Sequence, residues 1–170
     1  MNSMKQIKVE KVTLNIGAGK DAKLLEKGVK LITGLTGIAP VKTITQKRIP
    51  GWGLRPGLPI GCKLTLRGKQ AQELIPRLLA AKDNLLSPKN FDDAGNISFG
   101  IPEYIDIEGA TYDPEIGIIG LQACITLTRP GYRIRVRSIR PQKLKKQRIV
   151  RNEAVSFMQE KFKTKVEAQS

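Results

Sequence analysis

The sequence predicts an α+β fold, in which helices pack on one face of a mostly antiparallel sheet. Several stretches alternate apolar and polar residues, as strands with one buried face do. Between them lie stretches whose apolar residues recur every three or four positions, the spacing of amphipathic helices. At 170 residues the chain is long enough to bury its own core. We therefore expect one domain over residues 1–170, with a basic extension and a helix from about residue 129.

The first strand is predicted over residues 7–16, where polar and apolar side chains alternate on either side of a bulge expected near residues 10 and 11. The turn GAGK (residues 17–20) leads into a helix from about Asp21, whose carboxylate suits a helix N-terminus. Gly37 ends this helix, since glycine readily adopts the left-handed conformation of a C-terminal cap. The apolar face of the helix consists of Leu24, Leu25, Val29, Ile32 and Leu35.

A long hairpin follows, with strands predicted over residues 41–47 and 60–67. Its loop is rich in Gly, Pro and Arg and carries the only tryptophan, Trp52. Loops of about a dozen residues are longer than a hairpin needs and are often functional. The chain holds nine Lys or Arg and no Asp or Glu over residues 27–72, so the hairpin's partner is expected to be anionic.

The next elements are a helix over residues 70–82 and a long strand over residues 118–128. Pro76 lies within the helical pattern, which predicts a kink or a displaced start. The intervening residues 83–115 hold eight acids, one Lys and several turn signals, with one short strand expected around residues 104–107.

The C-terminal part is strongly basic, with ten cations and no acid over residues 129–151. After the turn RPG, apolar residues alternate with arginine, so a strand is predicted with Arg133, Arg135 and Arg137 on one face. The final helix is predicted over residues 143–162.

The polar face of the predicted sheet has a distinctive composition. Its residues combine hydrogen-bonding groups with a few cations and almost no carboxylate, whereas a surface selected for solubility mixes both signs of charge. An open face that meets phosphates and sugar hydroxyls is one interpretation, and an ordinary solvated face of threonine-rich strands is the other. The residues are Thr13, Asn15, Lys63, Thr65, Arg67, Gln122, Thr126 and Thr128.

A formal net charge of +15 and a pI near 10.1 are typical of nucleic-acid-binding proteins. Binding to an anionic membrane surface is the alternative, but the apolar stripe of the last helix is expected to be needed for packing. Two separated cysteines favour a reduced protein, and the sequence shows neither a membrane span nor a signal peptide. We therefore expect a cytoplasmic protein that does not bind membranes.

The sequence gives little support for a nucleotide-binding, metal-binding or catalytic site. The GAGK turn lacks the spacing of a phosphate-binding loop, and Asp21 stands where such a loop has Ser or Thr. The turn's amides, including that of Gly17, could still hold an RNA phosphate. With no His and two distant Cys, neither a metal site nor a general base is predicted, so we expect no cofactor and no catalysis.

Several motifs resemble one protein family along essentially the whole chain. They are VTLNIGAG at residues 12–19, GLPIGCKLTLR at residues 57–67, SFGIPEYID at residues 98–106 and RPGYRIRVR at residues 129–137. The sequence resembles the large-subunit ribosomal proteins that bind 5S rRNA, the fifth family in the universal numbering, in its archaeal and eukaryotic branch. One glutamine contact of the bacterial members is replaced here by Ile38.

This resemblance implies a structural, non-enzymatic protein that helps attach 5S rRNA at the central protuberance and contacts 23S rRNA. It implies 5S rRNA contacts at Asn15, Trp52 and Thr65, although Trp52 could instead be a core residue. With the residue patterns, the candidate rRNA contacts are Asn15, Gly17, Lys42, Trp52, Lys63, Thr65, Arg67, Arg133, Arg135 and Arg137.

The resemblance also implies that the hairpin loop reaches the elbow of P-site tRNA and that the protein bridges to a small-subunit protein. The tRNA contacts would be Lys47, Arg48, Gly51, Gly53, Arg55 and Gly57. The acidic residues 83–115 are a candidate for the bridging face, on grounds of charge. A free RNA chaperone or regulatory RNA binder is the runner-up function, and an anion-binding enzyme is a remote third.

Overall fold

The computed structural model, which describes residues 2–143 and 147–166, has the mixed helical and strand architecture predicted from the sequence. A mostly antiparallel sheet has the strand order β2-β3-β1-β6-β5. Its strands are β1 (Lys8–Gly17), β2 (Val41–Ile44), β3 (Pro59–Leu66), β5 (Ile97–Ile101) and β6 (Leu121–Thr128). Two short strands, β4 (Leu85–Leu86) and β7 (Lys165–Val166), pair in parallel. The helices in the described residues are α1 (Ala22–Thr36), α2 (Gly68–Ala80), α3 (Arg133–Val136) and α4 (Arg151–Phe162).

The chain divides into two compact units. The first unit comprises Met1–Val12, Arg67–Phe99 and Cys124–Ser170, and the second comprises Thr13–Leu66 and Gly100–Ala123. The candidate sheet-face residues from Asn15 to Thr65 belong to the second unit, whereas the arginines after residue 128 belong to the first.

In the second unit, α1 packs closely on the sheet. Asp21 caps the helix by accepting hydrogen bonds from the amides of Lys23 and Leu24, and Gly37 ends it at φ +71°. A Cβ on the buried Gly28 would lie 3.2 Å from the Sγ of Cys62 on β3. Helix and strand therefore approach each other to a distance that favours glycine. The apolar side of α1 therefore packs on the same face of the sheet as the buried Cys62 side chain, as the amphipathic pattern predicts.

In the first unit, α2 presents the apolar face predicted from its periodicity. Its buried residues are Ala71, Leu74, Ile75, Leu78 and Leu79. Pro76 lies inside the helix on its exposed side, so the helix does not start after it.

The two cysteines, Cys62 and Cys124, are both free, and burial raises the pKa of the Cys62 thiol.

The acidic segment folds differently from the prediction. The strand expected around residues 104–107 is wrong, because Tyr104–Asp106 forms a 3₁₀ turn. Tyr104 and Ile107 are buried while Ile105 is exposed, a spacing of three that fits a turn rather than the period of two of a strand. The strand of this region is β5, where Ile97, Phe99 and Ile101 alternate with exposed residues.

The strand predicted over residues 132–137 is also wrong. Residues 133–136 form the short helix α3, and the amide of Arg137 donates to the Arg133 carbonyl at 2.9 Å. Ile134 and Val136 are exposed, so the alternating pattern has no core to cover. Because none of the described strands pairs with it, the segment satisfies its backbone groups locally.

The remaining boundaries move by a few residues. β2 ends at Ile44 rather than at residue 47, and β6 begins at Leu121 rather than at residue 118. The last helix begins at Arg151 rather than at residue 143, and residues 144–146 of the predicted span lie outside the described residues. Across residues 2–143 and 147–166, we find no helix that is both long and apolar enough to span a membrane.

Candidate nucleic-acid interface

The exposed face of β3 carries two of the predicted RNA-binding residues. Lys63 and Thr65 are exposed, whereas the alternate residues Cys62, Leu64 and Leu66 are buried. Alternation along the strand places the two polar side chains on the face opposite the core. The prediction that this face is polar is confirmed at β3.

Asn15 continues this polar face on β1, the strand next to β3. Its side-chain Nδ2 donates a hydrogen bond of 3.1 Å to Oε1 of Gln122 on the neighbouring β6. This contact fixes the orientation of the Asn15 amide, leaving its Oδ1 pointing away from the bond as an acceptor. Lys63, Thr65, Asn15 and Gln122 thus bring a cation and hydrogen-bonding groups to three successive strands of the second unit.

The register of β2 changes which of its residues join this face. Val41 pairs with Lys63 and Thr43 with Gly61, whereas Lys42 pairs with buried Cys62. Directly opposed residues of antiparallel strands point to the same face, so Lys42 lies on the other face from Lys63. Exposed Val41 takes the place next to Lys63, a position that the sequence pattern did not assign to the interface. Only the pairing register reveals it.

The long hairpin loop is folded rather than extended. The ladder continues beyond β2, since the amides of Thr45 and Gly57 donate to the carbonyls of Leu58 and Thr45, both at 2.9 Å. Nearer the tip, Ile49 and Leu54 exchange backbone hydrogen bonds, and the Leu54 side chain is buried. The loop therefore has a defined conformation of its own.

Polar and aromatic groups project from this loop. Trp52 ends a 3₁₀ turn and is 70% exposed, so it is not a core residue. The predicted tRNA-contact residues are also exposed, and they are Lys47, Arg48, Gly51, Gly53, Arg55 and Gly57. The loop presents a largely exposed indole among cations and backbone, an arrangement suited to stacking on a nucleobase.

The GAGK turn is already occupied by internal hydrogen bonds. The amides of Ala18 and Gly19 both donate to the Ile60 carbonyl, at 2.9 and 3.0 Å. At the start of α1, the Asp21 carboxylate takes the amides that an anion would use. The exposed Gly17 remains beside the polar face, but these amides do not form a phosphate cradle.

In the first unit, Arg67 is paired with an acid. Its Nη1 lies 3.1 Å from Oε1 of Glu10, and both side chains are partly exposed. Exposed pairs of this kind contribute little to stability, so the guanidinium can exchange the carboxylate for a phosphate at small cost. Glu10 is a carboxylate that the sequence pattern had not placed near Arg67.

The basic loop, which we define as residues 133–143, carries the arginines predicted to bind rRNA. Arg133, Arg135 and Arg137 are all exposed, but they do not share a strand face. Arg133 and Arg135 lie about 200° apart around α3, given 3.6 residues per turn. Arg133 and Arg135 therefore point to opposite sides of α3, so the three guanidinium groups do not form one row.

The phenol of Tyr132 joins the two chain segments that flank this loop. The hydroxyl of Tyr132 donates to the Gln147 carbonyl at 2.7 Å and accepts from the Ile149 amide at 2.8 Å. Ile149 itself is fully buried. The chain on both sides of the basic loop is thus anchored to the first unit, and Tyr132 is a structural residue that the sequence pattern had indicated only as part of a strand.

An ion pair supports the same region. Nη2 of Arg129, whose side chain is 10% exposed, lies 2.7 Å from Oε1 of Glu153 on α4. Burial favours the neutral form of Glu153, but the Val150 amide and the charges of Arg129 and Lys5 together hold its pKa below the usual range. The carboxylate is therefore more stable as an anion in the folded protein than in the unfolded chain.

This shift predicts a loss of stability in acid. Because the folded-state pKa of Glu153 is lowered, its contribution is fully present above the unfolded value of roughly 4.3 and is lost as pH falls through the folded value. Thermal unfolding followed from pH 7 to pH 3 is expected to show a steeper drop in Tm for the wild type than for Glu153→Gln. Glu160→Gln, an exposed change on the same helix, is the control. Parallel curves for all three proteins would contradict the assignment.

The second unit also has an acidic surface. Glu103, Asp106, Glu108 and Glu115 are exposed, and Glu115 pairs with Nζ of Lys30 at 2.6 Å. The hydrogen bond and the charge of Glu115 raise the pKa of Lys30. Within the part of the chain that the structure describes, no group of three or more His, Cys, Asp or Glu is placed to hold a metal ion.

Comparisons with known proteins show similarity along most of the chain. Residues 2–55 match the family model "Ribosomal protein L5", and residues 59–157 match the model for the C-terminus of the same ribosomal protein family. The chain is 47% identical over 161 residues to the large ribosomal subunit protein uL5 of Nanoarchaeum equitans, with 94% of this chain and 95% of that protein covered. It is 43% identical to the protein of that name from Sulfurisphaera tokodaii (95% and 93% covered). The Methanosphaera stadtmanae protein is 41% identical (98% and 100% covered).

Proposed function

The chain belongs to the ribosomal protein L5 family, and from this premise we propose that it binds 5S rRNA and helps attach it at the central protuberance. As a member of the family, it is a structural constituent of the large ribosomal subunit and not an enzyme. It works in the cytoplasm as part of the ribosome. The relatives named above are archaeal, in agreement with the branch that the basic C-terminal motif indicates.

The observation that carries the proposal is the polar face of the second unit. There, exposed Lys63 and Thr65 lie on the strand next to Asn15, which Gln122 holds in place. A lysine can meet a phosphate, while amide and hydroxyl groups can read ribose hydroxyls and base edges. Phosphate contacts supply affinity, and the oriented amide and hydroxyl supply the preference for one RNA over another.

The hairpin loop has a second role in this proposal. Trp52 stacks on an unpaired base near the sheet, and the exposed cations Lys47, Arg48 and Arg55 contact the elbow of P-site tRNA. The internally bonded loop supports this role, since a defined conformation costs little ordering entropy on binding. The tRNA contact needs only to be transient, as tRNA leaves with each cycle of translation.

The remaining partners follow from charge. We propose that the basic loop and Arg67 contact rRNA, either 5S or 23S, and that the acidic surface of the second unit meets a basic protein of the small subunit. Complementary charge across such a bridge favours rapid and reversible association. Residues 1–170 act together in this proposal as a single rRNA-binding domain.

Selective RNA binding is the test of this function. In a filter-binding titration at 0.15 M salt, the protein is expected to prefer archaeal 5S rRNA over equal masses of tRNA and duplex RNA. Thr65→Val keeps the shape of the side chain but removes its hydroxyl, so it is expected to reduce 5S affinity by about tenfold, the upper end of what one hydrogen bond between neutral groups contributes. Its binding to duplex RNA is expected to stay unchanged.

Two further measurements make this test decisive. Thr111→Val, an exposed threonine of the second unit outside the polar face, is the matched control and is expected to bind like the wild type. Because Trp52 is the only tryptophan, its fluorescence reports stacking directly, and quenching is expected with 5S rRNA. Equal affinity for all three RNAs would support the free RNA chaperone instead.

A further inference from the structure

The basic loop exposes aliphatic side chains as well as charges. Val136 and Ile139 are 79% and 78% exposed, and Ile134 is also exposed. Single exposed apolar residues are common on protein surfaces, but here three fall within six positions of one loop. Exposed apolar groups gathered in this way mark interaction surfaces.

These side chains are held outward by the loop's own hydrogen bonds. The Gln142 amide donates to the Ile134 carbonyl at 3.1 Å, and Nε of Arg137 donates to the Arg140 carbonyl at 3.0 Å. Arg140 has φ +48°, a left-handed conformation that costs energy for a non-glycine residue. Because Tyr132 also joins the segments that flank the loop, the loop has a defined shape that leaves Val136 and Ile139 outside the core.

The surroundings of the two residues identify the partner's chemistry. Val136 lies between Arg135 and Arg137, Ile139 precedes Arg140, and the loop contains no acid. The partner therefore offers negative charges and apolar surface side by side. A regular RNA helix offers phosphates but keeps its bases stacked, whereas loops and bulges expose base faces next to the phosphates.

We propose that Val136 and Ile139 contact the bases and riboses of an unpaired rRNA segment while the neighbouring arginines bind its phosphates. This inference rests on the proposed rRNA-binding function and adds the class of RNA element that the basic loop recognises. Apolar contact and charge neutralisation then make separable contributions, because only phosphate neutralisation changes the dependence of affinity on salt.

The test uses the full chain and the double variant Val136→Ser with Ile139→Ser. Both side chains are exposed, so the variant is expected to fold normally. Its affinity for 5S rRNA or for deproteinised large-subunit rRNA is expected to fall about tenfold, with an unchanged slope of log affinity against log salt. Probing of 2′-hydroxyl acylation is expected to show nucleotides that the wild type protects and the variant releases. Ile118→Ser, at a residue 66% exposed in the second unit, is the control and is expected to change neither readout.

The outcomes separate this inference from the proposed function. If the wild type binds rRNA selectively and the double variant matches it in affinity and protections, the inference is wrong and the function stands. A lower salt slope in the double variant would also overturn it, because phosphate contacts would then have been lost. Binding of the wild type to vesicles with anionic lipid, abolished in the variant, would assign the apolar residues to a membrane surface. A wild type that binds no RNA would remove both proposals.

Discussion

Replacing Arg133, Arg135 and Arg137 together by glutamine is expected to weaken rRNA binding by about a hundredfold at 0.1 M salt. Each exposed guanidinium that neutralises a phosphate releases condensed counterions, so three lost contacts reduce the slope of log affinity against log salt by roughly 2 to 3. The three side chains are exposed, Arg133 and Arg135 lie on opposite sides of α3, and Arg137 donates to the Arg140 carbonyl, so they are expected to reach different phosphates. Titrations at several salt concentrations measure both quantities.

A charge-matched variant distinguishes local contact from net charge. Changing Lys69, Lys82 and Lys89 to glutamine removes the same charge from exposed positions of the first unit. This control is expected to lose only the weak, long-range attraction of a basic protein for RNA. If both triple variants weakened binding equally, the basic loop would be a general source of positive charge and not a contact surface.

Gly61→Ala is expected to destabilise the protein by about 2–3 kcal/mol, as overpacking of a close contact does. A Cβ at Gly61 would lie 2.6 Å from the Ile16 carbonyl oxygen and 3.1 Å from Oγ1 of Thr43. The first of these atoms is backbone and cannot rotate away, so β1 and β3 would have to move apart. Urea unfolding of the wild type and the variant measures the difference in free energy of unfolding.

Gly34→Ala is the matched control for this prediction. Gly34 lies within α1, and a Cβ there would meet nothing within 4 Å. Alanine favours the helix over glycine, so this variant is expected to be more stable by about 0.5–1 kcal/mol. Opposite signs are therefore expected for the same chemical change. A Gly61→Ala protein as stable as the wild type would show that β1 and β3 adjust freely at this point.

The Gly61 change also tests the polar face. Gly61 lies on the same face of β3 as Lys63 and Thr65. Displacement of β1 from β3 would therefore move Asn15 relative to Lys63 and Thr65. Selective 5S binding is therefore expected to fall even at temperatures where the variant remains folded. Gly34→Ala is expected to leave selectivity unchanged.

Much of the fold could be predicted from the sequence because the relevant signals are local. The buried residues of α2 and β6 follow from periodicities of 3.6 and 2, which any amphipathic element must show. The same logic failed where a periodic stretch had no core to cover. Residues 132–137 alternate perfectly, yet α3 forms there, because none of the strands in the described residues pairs with the segment.

The candidate site could be predicted only as a set of residue types on one strand at a time. Lys63 and Thr65 follow from alternation within β3, and exposed Trp52 follows from the Gly and Pro around it. The separation of Lys42 from Lys63 could not be foreseen, since it depends on the pairing of Lys42 with Cys62. A shift of one residue in that register would reverse the assignment.

By itself, the sequence determined the fold class, the apolar faces of α2 and β6, the excess of positive charge and the family. These are properties of composition and short-range spacing, so no long-range contact is needed to read them. The tertiary structure decided which groups act together. It joined Asn15 to Gln122 across 107 positions, closed the basic loop through Tyr132 and turned Arg133 away from Arg135. Such contacts depend on strand register and packing between distant residues, which local periodicity does not encode.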